Sequence, residues 1–273
     1  LLKMKIIKNI FELNKAIKNY NNIGFVPTMG GIHYGHVSLI KTSQRKKLKT
    51  IVSIFVNPTQ FNRKSDFINY PRNIKKDIQI LTRLKIDYLF IPDVKEIYMR
   101  KMKKFNLKKS EKILCAKYRD GHFEGVLNVM NRLLNIIKAK KIFMGEKDFQ
   151  QLFLINKYLR NNHKFEIINC PIIRDKNKIA LSTRNELLNK YDYIKASLIA
   201  KYLLKLKKKI NVTDDNLYLI MKKNIEILEH TFKIKIDYLE FRNEKDLKLA
   251  LSKKKYRLFI GYYINKVRLI DNF

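Results

Sequence analysis

The sequence predicts an α/β protein: a parallel sheet with helices on both faces, then a smaller α+β domain. Three observations carry this. Short apolar runs of strand length alternate with longer segments whose apolar residues recur at helical spacing, the pattern of parallel βαβ units. Glycines, histidines and amides gather in the loops that follow those strands. Beyond about residue 173 the texture changes to lysine-rich helical stretches and three late strands, which divides the chain into domains 1–173 and 174–273.

The elements read in order. Ile23 to Pro27 is a short apolar strand, followed by a glycine-bearing turn and a helical pattern that starts near His36. Ile51 to Val56 is a second buried strand, ended by Asn57-Pro58. Ile74, Ile78, Leu81 and Leu84 fall on one helical face, and Asp87 to Pro92 returns as a strand. Val126, Val129, Leu133 and Ile136 mark a helix, Lys141 to Gly145 a strand, and Phe149, Leu152, Phe153 and Leu159 a further helix. Phe165 to Cys170 closes the first domain's series. In the second, helices near 191–208 and 214–230 precede strands at Lys235 to Glu240, Arg257 to Ile264 and Val267 to Ile270.

Composition narrows the function classes. The chain has 273 residues, 46% of them apolar, and a formal net charge of +35. So large a charge suggests nucleic acid. The lysines, however, run along the whole chain, and asparagine and isoleucine rise with them. All three have AT-rich codons, so genomic drift explains the excess, and no nucleic-acid partner is expected. No apolar run is long enough to span a bilayer, so no membrane partner is expected either. Leu1 to Ile10 lacks the apolar stretch of a secretory leader, and Met4 reads as the natural start. Cys115 and Cys170, the two cysteines, suit free thiols in a reducing cytoplasm rather than a disulfide framework.

Four segments carry chemistry. The first strand runs into Met29-Gly30-Gly31-Ile32-His33-Tyr34-Gly35-His36. Open α/β sheets bind ligands at the carboxyl ends of their strands. Glycines there allow a close backbone approach, and free N–H groups at the next helix N-terminus favour phosphate. The two histidines add donors; a metal pair, which would want a third ligand nearby, or a plain surface pair is the alternative. Asn57-Pro58-Thr59-Gln60-Phe61 ends the second strand. It is either a simple turn or, through Asn57 and Gln60, a grip on hydroxyl and carboxylate groups. Gly145-Glu146-Lys147-Asp148-Phe149-Gln150-Gln151 lies at a third strand-to-helix junction. Lys147 suits ATP phosphates and Gln151 follows one turn later, although an ordinary helix start would read the same. Ala180-Leu181-Ser182-Thr183-Arg184-Asn185 offers hydroxyls beside an arginine, fit for a triphosphate or for a helix cap.

The His-x-Gly-His element resembles the signature of nucleotidyltransferases and class I aminoacyl-tRNA synthetases. Together the four segments resemble the pantothenate synthetase family, in the right order and over nearly the whole chain. Asn69-Tyr70-Pro71-Arg72, Phe90-Ile91-Pro92, Glu96-Ile97-Tyr98, Gly121-His122-Phe123-Glu124-Gly125-Val126 and Arg268-Leu269-Ile270-Asp271-Asn272 extend the likeness. Departures from the family pattern are Thr183 for a second serine, Asp120 for a proline, and a lysine-rich stretch at 99–117.

The resemblance implies a Rossmann-like nucleotide-binding domain and a lid. It implies ATP-dependent condensation of pantoate with β-alanine through a pantoyl-adenylate, releasing AMP and pyrophosphate. His33, His36 and Lys147 are the implied catalytic residues, with His36 as proton donor. Met29 to His36, Gly145 to Asp148, Ile173 and Leu181 to Arg184 are the implied ATP site. Gln60 and Gln151 would bind pantoate, and Gln60 and Asn57 β-alanine. Mg²⁺ would accompany ATP without a protein ligand that can be named, and a cytoplasmic homodimer is implied. The alternatives are another His-x-Gly-His nucleotidyltransferase or tRNA-charging relic, and a basic nucleic-acid-binding module. The full Asn57–Phe61 and Gly145–Gln151 segments argue against the first, and aromatics that fall at apolar-periodic positions argue against the second.

Overall fold

The computed structural model describes residues 4–62, 64–98, 104–210, 217–250 and 256–273. The chain forms two compact units, Leu1–Ile173 and Arg174–Phe273. The elements are β1 (Lys5–Ile7), α1 (Ile10–Ile17), β2 (Ile23–Thr28), α2 (Tyr34–Arg45), β3 (Lys49–Ile54), α3 (Lys64–Ile68), α4 (Ile74–Arg83), β4 (Tyr88–Phe90), α5 (Val94–Tyr98), α6 (Cys115–Tyr118), α7 (His122–Ile137), β5 (Lys141–Gly145), α8 (Phe149–Leu159), β6 (Glu166–Cys170), α9 (Lys190–Lys209), α10 (Leu217–Phe232), β7 (Lys235–Asn243), β8 (Tyr256–Ile264) and β9 (Val267–Asn272).

The first unit is a six-stranded sheet in the order β1-β4-β3-β2-β5-β6, with every pairing parallel. Its central strands are buried on both faces, and successive residues serve opposite cores. Phe25, Ile51 and Ile142 pack with α1, α7 and α8. Val26, Val52 and Phe143 pack with α2 and α4. This is the two-residue period of a strand with both faces covered by helices, and it is the expected α/β sheet.

The sequence expectation did not contain β1 or α1. β1 has only three residues, of which Ile7 alone is buried, so it shows no alternation. Its pairing with β4, Lys5 against Tyr88, is a long-range event. α1 is started locally by Asn9, whose side chain accepts from the Glu12 N–H at 2.8 Å. The lysine-rich stretch 99–117 and the helix expected at 214–230 fall partly on 99–103 and 214–216, outside the described residues. From Phe105 onward the first is anchored: Phe105 is buried, and the carboxylate of Glu111 pairs with Lys157 at 2.7 Å.

The second unit is an antiparallel sheet, β7-β8-β9. α9 and α10 lay Ile199, Leu203, Met221 and Leu228 against its apolar face. Its two sequence ends are tied to each other. Arg174 grips Asp271 with both terminal guanidinium nitrogens, at 2.6 and 2.9 Å. Both free thiols, Cys115 and Cys170, are buried. Among the described residues no helix is long and apolar enough to cross a membrane.

Candidate functional site

The chain leaves β2 for β3 on one side of the sheet and later returns to β5 on the other, so strand order reverses between β2 and β5. Pairing across this switch point covers only Gly24 with Lys141 and Phe25 with Ile142, while β2 continues to Thr28 and β5 to Gly145. The carboxyl ends therefore separate into the crevice where such sheets take ligands. The turn carrying His33 and His36 and the turn carrying Lys147 meet there.

The first turn is rigidly built. Gly30 and Gly31 take positive φ, 83° and 63°, which L side chains rarely adopt. The buried carboxylate of Asp77, reaching over from α4, accepts from the Gly31 N–H at 2.9 Å and the Ile32 N–H at 2.7 Å. Thr28 Oγ1 accepts from the Gly30 N–H. His33 caps α2: its Nδ1 accepts from the Gly35 N–H at 3.1 Å, and His36 Nδ1 accepts from the His33 N–H at 3.4 Å. This differs from the expectation of free backbone donors. The N–H groups of Gly30, Gly31, Ile32, His33 and Gly35 go to the Asp77 carboxylate on α4, to Thr28 Oγ1 and to the two imidazoles, which fixes the shape of the turn.

The ligand-facing chemistry then passes to side chains. The two imidazoles lie against each other, centroids 4.1 Å apart and planes tilted by 35°. Burial and Lys147 disfavour the charged form of both rings, His33 adds to this at His36, and Asp148 partly opposes it at His33. His33 is lowered to about 4, chiefly by burial and then by Lys147. His36 is lowered to about 3 by burial, His33 and Lys147. Both rings are thus neutral near pH 7. With each Nδ1 accepting, the proton sits on Nε2, ready to donate. Lys147 follows β5 on a single 3-10 turn, Glu146–Asp148, with its side chain 17% exposed and Asp148 Oδ1 3.9 Å away. A pair of neutral donors beside an ammonium suits phosphate oxygens.

Next to this, Pro58–Gln60 form a one-turn 3-10 helix after β3, capped by Asn57. Asn57 is fully engaged by the protein. Its Oδ1 accepts from Tyr98 OH at 2.6 Å, from Thr59 Oγ1 at 3.0 Å and from the Thr59 N–H. Its Nδ2 donates to Gly125 O at 3.1 Å and to Gln60 Oε1 at 3.3 Å. Gln60 is 8% exposed, with Nε2 against Met29 Sδ. Gln151 lies half-buried in the first turn of α8. Ile173 ends the first unit. Leu181 to Arg184 belong to the second, where Ser182 Oγ accepts from the Arg184 N–H and caps the 3-10 turn Thr183–Leu187.

Comparison with known proteins gives the same assignment. The pantoate-beta-alanine ligase family matches residues 5–273. The chain belongs to that family. Pantothenate synthetase from Fervidobacterium nodosum is 37% identical, covering 98% of each chain, and that from Endomicrobium trichonymphae is 40% identical, covering 98% of this chain and 97% of that one. Among solved structures, the pantoate-beta-alanine ligase from Francisella tularensis, complexed with beta-gamma ATP and beta-alanine, superposes with a TM-score of 0.84 at 36% identity, covering 99% of this chain and 97% of that one. The pantothenate synthetase from Thermus thermophilus gives 0.86 at 28% identity, covering 99% of each. The activity is that of a pantoate–β-alanine ligase, on the two-sheet fold of that family.

The family motifs account for His33, His36, Lys147 and Gln60. Asp77, His122, Arg119 and Tyr98 were given no role from the sequence. Each acts through a partner 40 or more positions away or, for Arg119, through His122. The Gly121–Val126 motif was the signal available for His122.

Proposed function

We propose that the chain joins pantoate to β-alanine in two steps at the β2/β5 crevice. The pantoate carboxylate attacks the α-phosphorus of ATP, giving pantoyl-adenylate and pyrophosphate. The amine of β-alanine then attacks the acyl carbon and AMP leaves. A carboxylate acylates poorly until one of its oxygens joins a good leaving group, and the protein's task is to position the reactants and offset phosphate charge.

The observation that carries this reading is the meeting of two neutral, Nε2-protonated histidines with Lys147 at the switch point. His36 and His33 donate to phosphate oxygens as negative charge shifts onto pyrophosphate, and Lys147 supplies the countercharge. Phosphate bound beside His36 favours its protonated form, which fits a proton-donor role. Met29 to Ile32, Tyr34, Gly35, Gly145, Glu146, Asp148 and Ile173 line the nucleotide, and Leu181, Ser182, Thr183 and Arg184 of the second unit are assigned to the triphosphate by the family motif alone. Gln60 and Gln151 hold pantoate. Gln60 borders the β-alanine position, and Asn57, expected beside it there, serves that position by holding Gln60, since its amide is engaged by Gln60, Gly125, Thr59 and Tyr98. Asp77 is committed to backbone N–H groups, and among the described residues no cluster of three or more His, Cys, Asp or Glu that could hold a metal occurs. Mg²⁺ would therefore ride on phosphate oxygens and water, where it offsets their charge. A cytoplasmic homodimer is part of the same proposal.

Isotope exchange tests it. With pantoate and ATP alone, labelled pyrophosphate should enter ATP. His36→Ala and Lys147→Ala should each slow that exchange about a hundredfold or more while staying folded. Absence of exchange from an enzyme that makes pantothenate would overturn the two-step scheme. Near-normal exchange in both variants would overturn the assigned residues.

A further inference from the structure

His122 opens α7 and is 7% exposed. Its ring joins two groups of fixed hydrogen-bonding character. Nδ1 lies 2.7 Å from the carbonyl oxygen of Gln60, and Nε2 lies 2.8 Å from Arg119 Nη1. A carbonyl oxygen only accepts and a guanidinium only donates. Both partners therefore demand one form of the ring: neutral, with the proton on Nδ1 and the lone pair on Nε2. No other tautomer or charge state satisfies the two contacts together.

The contact falls on the backbone of the residue whose side chain matters. Asn57 Nδ2 holds the side-chain end of Gln60, through Oε1 at 3.3 Å. His122 holds the main-chain end. Between these two anchors the Cα of Gln60 is fixed, and with it the direction in which the amide extends. The turn can come this close to α7 because position 125 is glycine. A Cβ there would lie 2.4 Å from Thr59 O and 2.9 Å from Gln60 Cα.

We infer that His122, oriented by Arg119, is a positioning residue for Gln60 and sets the reach of its amide toward the acid substrate. The inference rests on the assignment of Gln60 to pantoate. Loss of the Nδ1 contact frees the turn and weakens pantoate binding. ATP meets other turns and is unaffected.

Two variants separate the ring nitrogens. The amide nitrogen of His122→Asn sits close to the place of Nδ1 and keeps the donor to Gln60 O. The longer side chain of His122→Gln puts its amide near the place of Nε2, next to Arg119, and abandons that donor. In the pyrophosphate exchange assay, His122→Asn should keep the pantoate KM within about twofold. His122→Gln should raise it about five- to tenfold, the worth of one ordinary hydrogen bond. The ATP KM should stay within about twofold in both. An unchanged pantoate KM in His122→Gln overturns the inference. So does an equal rise of both substrates' KM values in both variants with lowered unfolding midpoints, which is what a merely structural histidine would give. Gln60→Ala is the control. If it raises the pantoate KM while His122→Gln does not, the inference alone fails. If it does not, the assignment of Gln60 fails and takes the inference with it.

Discussion

At the scale of single residues, the site depends on imidazoles kept neutral. His33 and His36 sit at about 4 and about 3 in the folded chain, against about 6.5 when unfolded. As pH falls below 6.5 the unfolded chain takes up protons that the folded chain refuses until near 4. Their contribution to stability is therefore complete above 6.5 and is lost as pH falls toward 3. The unfolding midpoint should drop between pH 7 and pH 4, and the drop should be shallower in a His33→Asn, His36→Asn double variant, because the remaining titrating groups are common to both. Equal slopes would mean that the rings are not held neutral. These two histidines were legible because their motif lies at the end of a recognisable strand. Asp77 was not. It is an acidic residue in the first turn of α4, where aspartate is ordinary. Its role depends on bonds to Gly31 and Ile32, about 45 positions earlier in the chain.

At the scale of elements, the turn at residues 57–60 is a docked piece rather than a free loop. Asn57, His122 and the missing side chain of Gly125 lock residues 57–60 onto the first turn of α7. Gly125→Ala should thus act at a distance. Its new methyl meets backbone, which cannot rotate away, so the turn or the helix must shift. Denaturant unfolding should show a loss of about 1–3 kcal/mol, as for other overpacked sites, and the pantoate KM should rise while the ATP KM holds. An unchanged pantoate KM in the folded variant would show that the turn's seat on α7 does not govern substrate binding. The elements legible in the sequence announce themselves within one segment, strands such as β2, β3 and β5 as short apolar runs and helices such as α4, α7 and α8 through a period of 3.6. Those that escaped, β1, α1 and the short helices α3, α5 and α6, have too few buried residues to set a period. Asn9 does carry a local start signal for α1, but a capping residue alone does not identify a helix.

At the scale of the whole molecule, the charge of +35 needs an account that the fold leaves open. The excess is spread: α9 alone contributes Lys190, Lys195, Lys201, Lys205 and Lys207 to Lys209. A cavity of about 400 Å³ beside β5 and β6 is lined by Lys140, Lys141, Arg160, His163 and Lys164, yet Lys141 there is paired with Glu166 at 2.6 Å. A dispersed field of this kind attracts anions without reading them. It collects counterions along any polyanion, and that attraction disappears as salt displaces them. A groove built for nucleic acid would add aromatic stacking platforms and base-edge donors, whose contribution survives salt. Binding to random duplex DNA should therefore be measurable at low ionic strength, fall steeply and linearly on a log–log plot, and be weaker than about 10⁻⁶ M at physiological salt, with no preference among sequences. The same field should draw ATP, so the ATP KM should rise with ionic strength while the turnover number changes little, since the groups that act in the reaction are short-range contacts in the crevice. Salt-resistant, sequence-selective DNA binding would show that the charge is organised for nucleic acid. An ATP KM indifferent to salt would show that the surplus lysines do not reach the crevice.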